Sequence, residues 1–110
     1  MSRQRKAEVM KGERLGEFEE VVLLGLRSQG ADGSAVDIQE TLHEVAARSA
    51  SLGSLYNVLD RLERKKLVQS WIGDPPTGGG RPRRCYALTA AGTRTLEESQ
   101  RVRERLWALR

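Results

Sequence analysis

The sequence predicts a mainly α-helical chain that carries one small β-hairpin. Three observations predict it. Apolar residues recur at helical spacing in four separate stretches. Between the third and fourth stretches the period drops to two, on either side of a segment crowded with proline and glycine. The last stretch is long and has apolar positions with nothing left in a chain of 110 residues to cover them.

Charge is unevenly placed. The net charge is +4, but residues 1–50 carry 7 basic against 9 acidic side chains, and residues 51–110 carry 12 against 6. A positive second half suits a polyanionic partner. Cys85 is the only cysteine, which excludes an intrachain disulfide and thiolate-cluster metal sites. No metal or other cofactor is expected. No apolar run approaches the roughly 18 residues of a membrane span. The start, MSRQRKAEVMKGER, lacks the apolar stretch of a signal peptide. A cytoplasmic protein with no membrane partner is expected. With one histidine, one cysteine and no paired acids in a recognisable motif, an enzyme is not.

Three segments are expected: an N-terminal arm over residues 1–14, a folded unit over residues 15–88, and a long helix over residues 89–110. The arm is polar and mixed in charge, with Arg3, Arg5 and Lys6 able to touch phosphate. Residues 15–28 form the first helix, with Leu15, Phe18, Val22 and Leu26 in one stripe, widened by Val21, Leu23 and Leu24. A helix apolar on most sides is buried on most sides, here against its own domain and a second subunit. Gly30, Asp32 and Gly33 end it.

Ser34 caps a short second helix with the stripe Ala35, Ile38, Leu42, Val45 and Ala46. His43 falls off the stripe and reads as a surface residue. After the turn Arg48-Ser49-Ala50, Ser51 caps a third helix expected to reach Leu67. Its back is Leu52, Leu55, Leu59 and Leu62; its front shows Ser54, Asn57, Arg61 and Arg64. Two helices joined by a short turn, the second with a small-polar and basic front, is the helix-turn-helix order.

Val68–Ile72 alternates as a strand, residues 74–82 (DPPTGGGRP) form an irregular tip, and residues 83–88 return. The glycine run at residues 78–80 lacks the Lys-Ser/Thr of a phosphate-binding loop, so nucleotide binding is rejected. Cys85 belongs in the return strand, buried or half buried. Thr89 caps the last helix, expected to run to near Arg110 with Leu96, Val102, Leu106 and Leu109 apolar and Trp107 adjacent. A second copy of the chain would cover its far end.

These residues point to double-stranded DNA. Ser51, Gly53 and Ser54 begin the third helix, where hydroxyls and unpaired amides suit phosphate. Asn57 and Arg61, one turn apart, suit adenine and guanine. Tyr56 stands beside the leucine back, and Arg81, Arg83 and Arg84 sit at the hairpin's return, within reach of an adjacent backbone or minor groove. The rival function is a module of the same fold that binds protein instead, which predicts an apolar or acidic face on the third helix.

The element order resembles a winged helix-turn-helix, and three motifs are similar to the PadR family of bacterial transcriptional regulators. They are Gly53-Ser54-Leu55-Tyr56 with Leu59, Leu62 and Glu63; Leu67-Val68 with Ser70-Trp71; and Gly80-Arg81-Pro82-Arg83-Arg84 leading into Tyr86-Ala87-Leu88-Thr89-Ala90-Ala91-Gly92. The resemblance covers roughly residues 15 to 97, on the pattern of short members. It departs at Asn57, where proline is usual, at Lys66, where glycine is usual, and at Ala35-Val36-Asp37-Ile38, where the family has G-Y-E-I. The resemblance implies a homodimeric repressor of a roughly two-fold symmetric operator, the last helix of each subunit packing on the first helix of the other. Leu15, Phe18, Val22, Leu96, Val102, Leu106, Trp107 and Leu109 are then the expected interface. It further implies that Trp107 can line a site for a small planar effector at the dimer centre.

Overall fold

The computed structural model describes residues 15–74, 80 and 82–110. The arm at residues 1–14, the loop residues 75–79 and Arg81 lie outside the described residues. Helices α1 (Glu17–Arg27), α2 (Ala35–Ala46) and α3 (Leu52–Arg64) are followed by antiparallel strands β1 (Val68–Ile72) and β2 (Arg84–Leu88), then helix α4 (Ala90–Trp107). This is the mainly helical architecture with one hairpin that the sequence predicts.

The three hydroxyl caps form as the sequence suggests. The Ser34, Ser51 and Thr89 hydroxyls accept from the amides of Asp37, Ser54 and Gly92 at 3.2, 3.0 and 3.0 Å. One core joins α1, α2, α3, the hairpin and Leu96 of α4, with Leu23, Leu26, Ile38, Leu55, Leu59 and Leu62 fully buried. Val58 completes the back of α3, whereas Leu52 is partly exposed at the helix start. On α2 the stripe stops a turn early, since Val45 stands in solvent. His43 is exposed and Cys85 is buried in β2.

The hairpin aligns Val68 with Leu88 and Ile72 with Arg84. Gly33 joins as a short third rung, exchanging both backbone hydrogen bonds with Tyr86 at 3.0 and 2.9 Å. The Ser70 hydroxyl donates to Glu63 at 2.8 Å and ties β1 to α3.

Helix α1 begins at Glu17, not Leu15, and two C-terminal ends move further. Helix α4 stops at Trp107, so Leu109 lies beyond it. Helix α3 stops at Arg64, three residues before Leu67, through a left-handed residue that is not glycine: Lys66 has φ +66°. The Lys66 amide donates to Glu63 O at 2.9 Å and the Leu67 amide to Leu62 O at 3.0 Å, the two bonds of a Schellman cap. Lysine therefore keeps the turn that glycine usually makes. The turn delivers the Leu67 carbonyl to the start of α4, where it accepts from the Thr89 amide at 3.0 Å. A Cβ at Gly92 would stand 2.1 Å from that oxygen, so only glycine fits. The end of α3 and the start of α4 are locked together.

The lysine cap is strained. A left-handed L-residue costs about 1–2 kcal/mol, and glycine's extra freedom when unfolded returns about 0.4–1 kcal/mol of that. Lys66→Gly should raise stability by about 0.5–1 kcal/mol in urea denaturation. A loss of stability would contradict the cap.

Candidate nucleic-acid interface

Helix α3 buries Leu55, Val58, Leu59 and Leu62 on one side. Helical geometry places Gly53, Asn57, Asp60 and Arg64 on the opposite side, all exposed. The front expected of Ser51, Gly53, Ser54, Tyr56 and Asn57 is present as an exposed surface. Ser51 Oγ, besides accepting from the Ser54 amide, donates to Ser54 Oγ at 3.0 Å. That fixes both hydroxyls at the helix start. The remaining first-turn amides, of Leu52 and Gly53, lie outside the intrahelical ladder, as at any helix N-terminus. This end can receive an anion.

The turn before α3 is held from two sides. Gln39 of α2 donates to the Ala50 carbonyl at 2.8 Å. Arg48 pairs with Glu17 at 2.7 Å and lies over the Phe18 ring, 5.0 Å from its centroid. Phe18 is partly buried against the protomer's own core, so it stays open to the expected dimer contact. Val22 and Leu96 depart from the expected interface. Val22 is fully buried and Leu96 nearly so, both in the protomer's own core. Helical periodicity cannot distinguish an apolar face turned to the core from one turned to a partner. Leu15 is partly buried against the core, and Val102, Leu106, Trp107 and Leu109 are exposed. Leu15, Leu67, Ala91, Val102 and Leu106 line one open groove between the start of α1 and α4.

The two described wing arginines separate. Alternation along β2 puts Arg84 on the side of Tyr86, and Arg83 precedes the strand. Arg83 lies 3.9 Å from Asp37 in the first turn of α2. Arg84 stands across from the exposed Ile72. Burial raises the Tyr86 phenol pKa; Arg84 opposes this, while nearby Tyr56 and Glu63 add to it. The contact between the wing and α3 that the structure shows is Ser70 on Glu63, and Tyr56 stands exposed on the helix.

Arg61 is where the structure adds most. Its Nε donates to Glu19 Oε2 at 3.0 Å, and Lys65 Nζ reaches both oxygens of the same carboxylate at 3.1 and 3.2 Å. Glu19 Oε1 also accepts from the Gly16 amide at 2.9 Å, closing the N-terminus of α1. The neighbouring Glu20 receives Arg103 in a two-pronged contact, at 2.6 Å from Nη2, and the Ser99 hydroxyl at 2.9 Å. Both glutamates are buried. Neither is legible in the sequence as a site residue, because an acidic first helical turn is ordinary and their partners lie 42 to 83 residues away. Arg64 on the front is paired with Asp60 at 2.8 Å.

The two carboxyls titrate low. Burial pushes Glu19 up, but the Gly16 amide, Arg61 and Lys65 outweigh it and hold it below the ordinary 4.5. Arg103 pulls Glu20 down, against burial and with help from Ser99. A group with a depressed folded-state pKa adds stability above its unfolded value and loses it as pH falls through the folded one. Thermal melts should therefore fall in midpoint below about pH 4.5, and a Glu19→Gln/Glu20→Gln variant should show a shallower fall. Parallel curves would refute this pairing.

No helix among the described residues is long and apolar enough to cross a membrane. A sequence model of the transcriptional regulator PadR-like family matches residues 23–98. No curated protein matches the chain. Among solved structures, a PadR family transcription regulator from Clostridium difficile aligns with TM-score 0.69 at 26% identity, covering 83% of this chain and 91% of that one. A PadR-like transcription factor from Bacteroides fragilis aligns with TM-score 0.70 at 28% identity, covering 94% and 91%. Bacillus subtilis PadR in complex with operator DNA aligns with TM-score 0.65, covering 76% of this chain and 46% of that one. At 21% identity that last likeness speaks for the fold alone.

Proposed function

This chain belongs to the transcriptional regulator PadR-like family, and we propose that it binds double-stranded DNA as a homodimer and represses transcription from a roughly two-fold symmetric operator in the cytoplasm. Residues 15–88 would be the DNA-binding unit and residues 89–110 the dimerisation helix. Helix α3 enters the major groove. Ser51, Gly53, Ser54 and Tyr56 meet phosphate, Asn57 and Arg61 reach base edges, and Arg83 and Arg84 of the wing reach the adjacent backbone.

The observation that carries this reading is Gly53. It lies in the first turn of α3, exposed, and a Cβ there would meet nothing nearer than Ser51 Oγ at 4.0 Å. Packing does not require glycine, and glycine inside a helix costs about 1 kcal/mol relative to alanine. Close approach of another backbone does require it. The front of α3 is also small and polar, with its acid Asp60 paired to Arg64, and it lacks the broad apolar or acidic face that docking to a protein would favour.

For a test, a duplex enriched from a random pool by the protein serves as probe, read by fluorescence anisotropy. Gly53→Ala should leave stability unchanged or raise it by up to about 1 kcal/mol yet weaken binding about tenfold. Arg84→Ala should lower the salt slope by about one. Failure to enrich any duplex, or wild-type binding by both variants, would overturn the reading.

Dimerisation is supported by the end of α4. Leu106, Trp107 and Leu109 are 61%, 86% and 70% exposed, a cost that a second copy removes. Leu106→Glu should reduce the mass in light scattering from that of a dimer to that of one chain. Two Trp107 rings brought together there would also accept a small planar effector. Planar cationic or phenolic compounds should then quench tryptophan emission in the dimer and not in the Leu106→Glu monomer.

A further inference from the structure

Arg61 is not an ordinary surface arginine. Its side chain is 51% exposed, while the carboxylate it pairs with is 8% exposed. The contact is made through Nε, which leaves the two terminal amino groups for other partners. Lys65 shares the carboxylate but is 24% exposed, so it is mostly covered. The two cations therefore stand differently. Lys65 fills the carboxylate from within, and Arg61 is held at its stem with much of its head in solvent.

A long arginine side chain carries large rotamer freedom, and ordering it on DNA costs affinity. An arginine already fixed on a buried acid has met that cost during folding. Its planar fork can then meet a guanine edge or a phosphate in a set orientation. A lone buried carboxylate near DNA would repel phosphate, but here one negative charge faces two positive ones, so the cluster stays net positive. Glu19 is in turn fixed by the Gly16 amide at 2.9 Å, which anchors the acid to the backbone of α1 independently of either cation.

We infer that Glu19 is a positioning residue for DNA recognition: through Nε it orients Arg61, one turn beyond Asn57 on α3, so that the guanidinium meets DNA in one fixed pose. This rests on the proposal that α3 reads DNA, and it adds a residue of α1 that touches no nucleotide. The consequence is a division of labour. Charge alone would make Arg61 and lysine equivalent at this position, whereas a fixed fork makes them different.

The test uses the full chain and the duplex enriched by wild type, with a scrambled duplex of equal length. Arg61→Ala, Arg61→Lys, Glu19→Gln and the Glu19→Gln/Arg61→Ala pair are compared, with melts to verify folding. Glu19→Gln keeps an oxygen for the Gly16 amide but loses the charge that holds Arg61. It should weaken the enriched duplex about tenfold, leave the scrambled duplex within about twofold, and have no further effect once Arg61 is alanine. Arg61→Lys keeps the charge and should lose preference between the two duplexes with the salt slope unchanged; it serves alone if Glu19→Gln fails to fold. Wild-type preference in Arg61→Lys, or an equal loss from Glu19→Gln with and without Arg61, would overturn the inference. If wild type enriches no duplex, it is the DNA-reading proposal that has failed. If Arg61→Ala binds as wild type while Gly53→Ala does not, the DNA reading stands and the role of Glu19 falls.

Discussion

Two neighbouring carboxylates in the first turn of α1 hold the two helices on which function would depend. Glu19 grips α3 through Arg61 and Lys65, and Glu20 grips α4 through Arg103 and Ser99. Because the residues are adjacent, α3 and α4 are both referenced to the same short piece of backbone. Such pairs contribute little net stability, since taking a charge out of water costs nearly what the partner returns. Their value is geometric. Moving either helix would leave a buried carboxylate without its cation.

The other end of α3 is fixed by backbone alone. The left-handed Lys66 turns the chain, Leu67 delivers its carbonyl to Thr89, and Gly92 lets α4 approach that carbonyl. Ser70 on Glu63 adds the wing. Helix α3 is thus clamped by charge on the α1 side, by the hairpin on the other, and by a tight turn at its end. What remains exposed is the side carrying Gly53, Asn57, Asp60 and Arg64, with Arg83 and Arg84 on the wing. A rigid mount with a small, polar, partly basic front suits a groove reader, because positions on a helix are aimed more narrowly than positions on a loop.

Much of this was legible in the sequence, for reasons that are local. Hydroxyl caps at Ser34, Ser51 and Thr89 act within three residues, and the period change at Val68 follows from pleat geometry. Both survive any tertiary arrangement. What the sequence hid is long-range or sterically specific. Glu19 and Glu20 look like routine acids at a positive helix end until their distant partners are known. Val22 and Leu96 have the periodicity of an interface and of a core equally. Lys66 adopts a conformation its side chain disfavours because the Leu67 and Thr89 contacts over-determine it, and no propensity argument finds that. Gly53 is the converse case: its motif was visible, but only the empty space around it shows that packing does not require glycine there.

On the proposed function, two copies of α3 read the major groove of one duplex. Footprinting of the protein on its enriched duplex tests it directly, with hydroxyl radicals for the backbone and guanine N7 methylation for the major groove. Two protected patches are expected on one face, spaced by about ten base pairs or a multiple of it, with N7 protection inside each. A single patch, or backbone protection without any N7 protection, would contradict it.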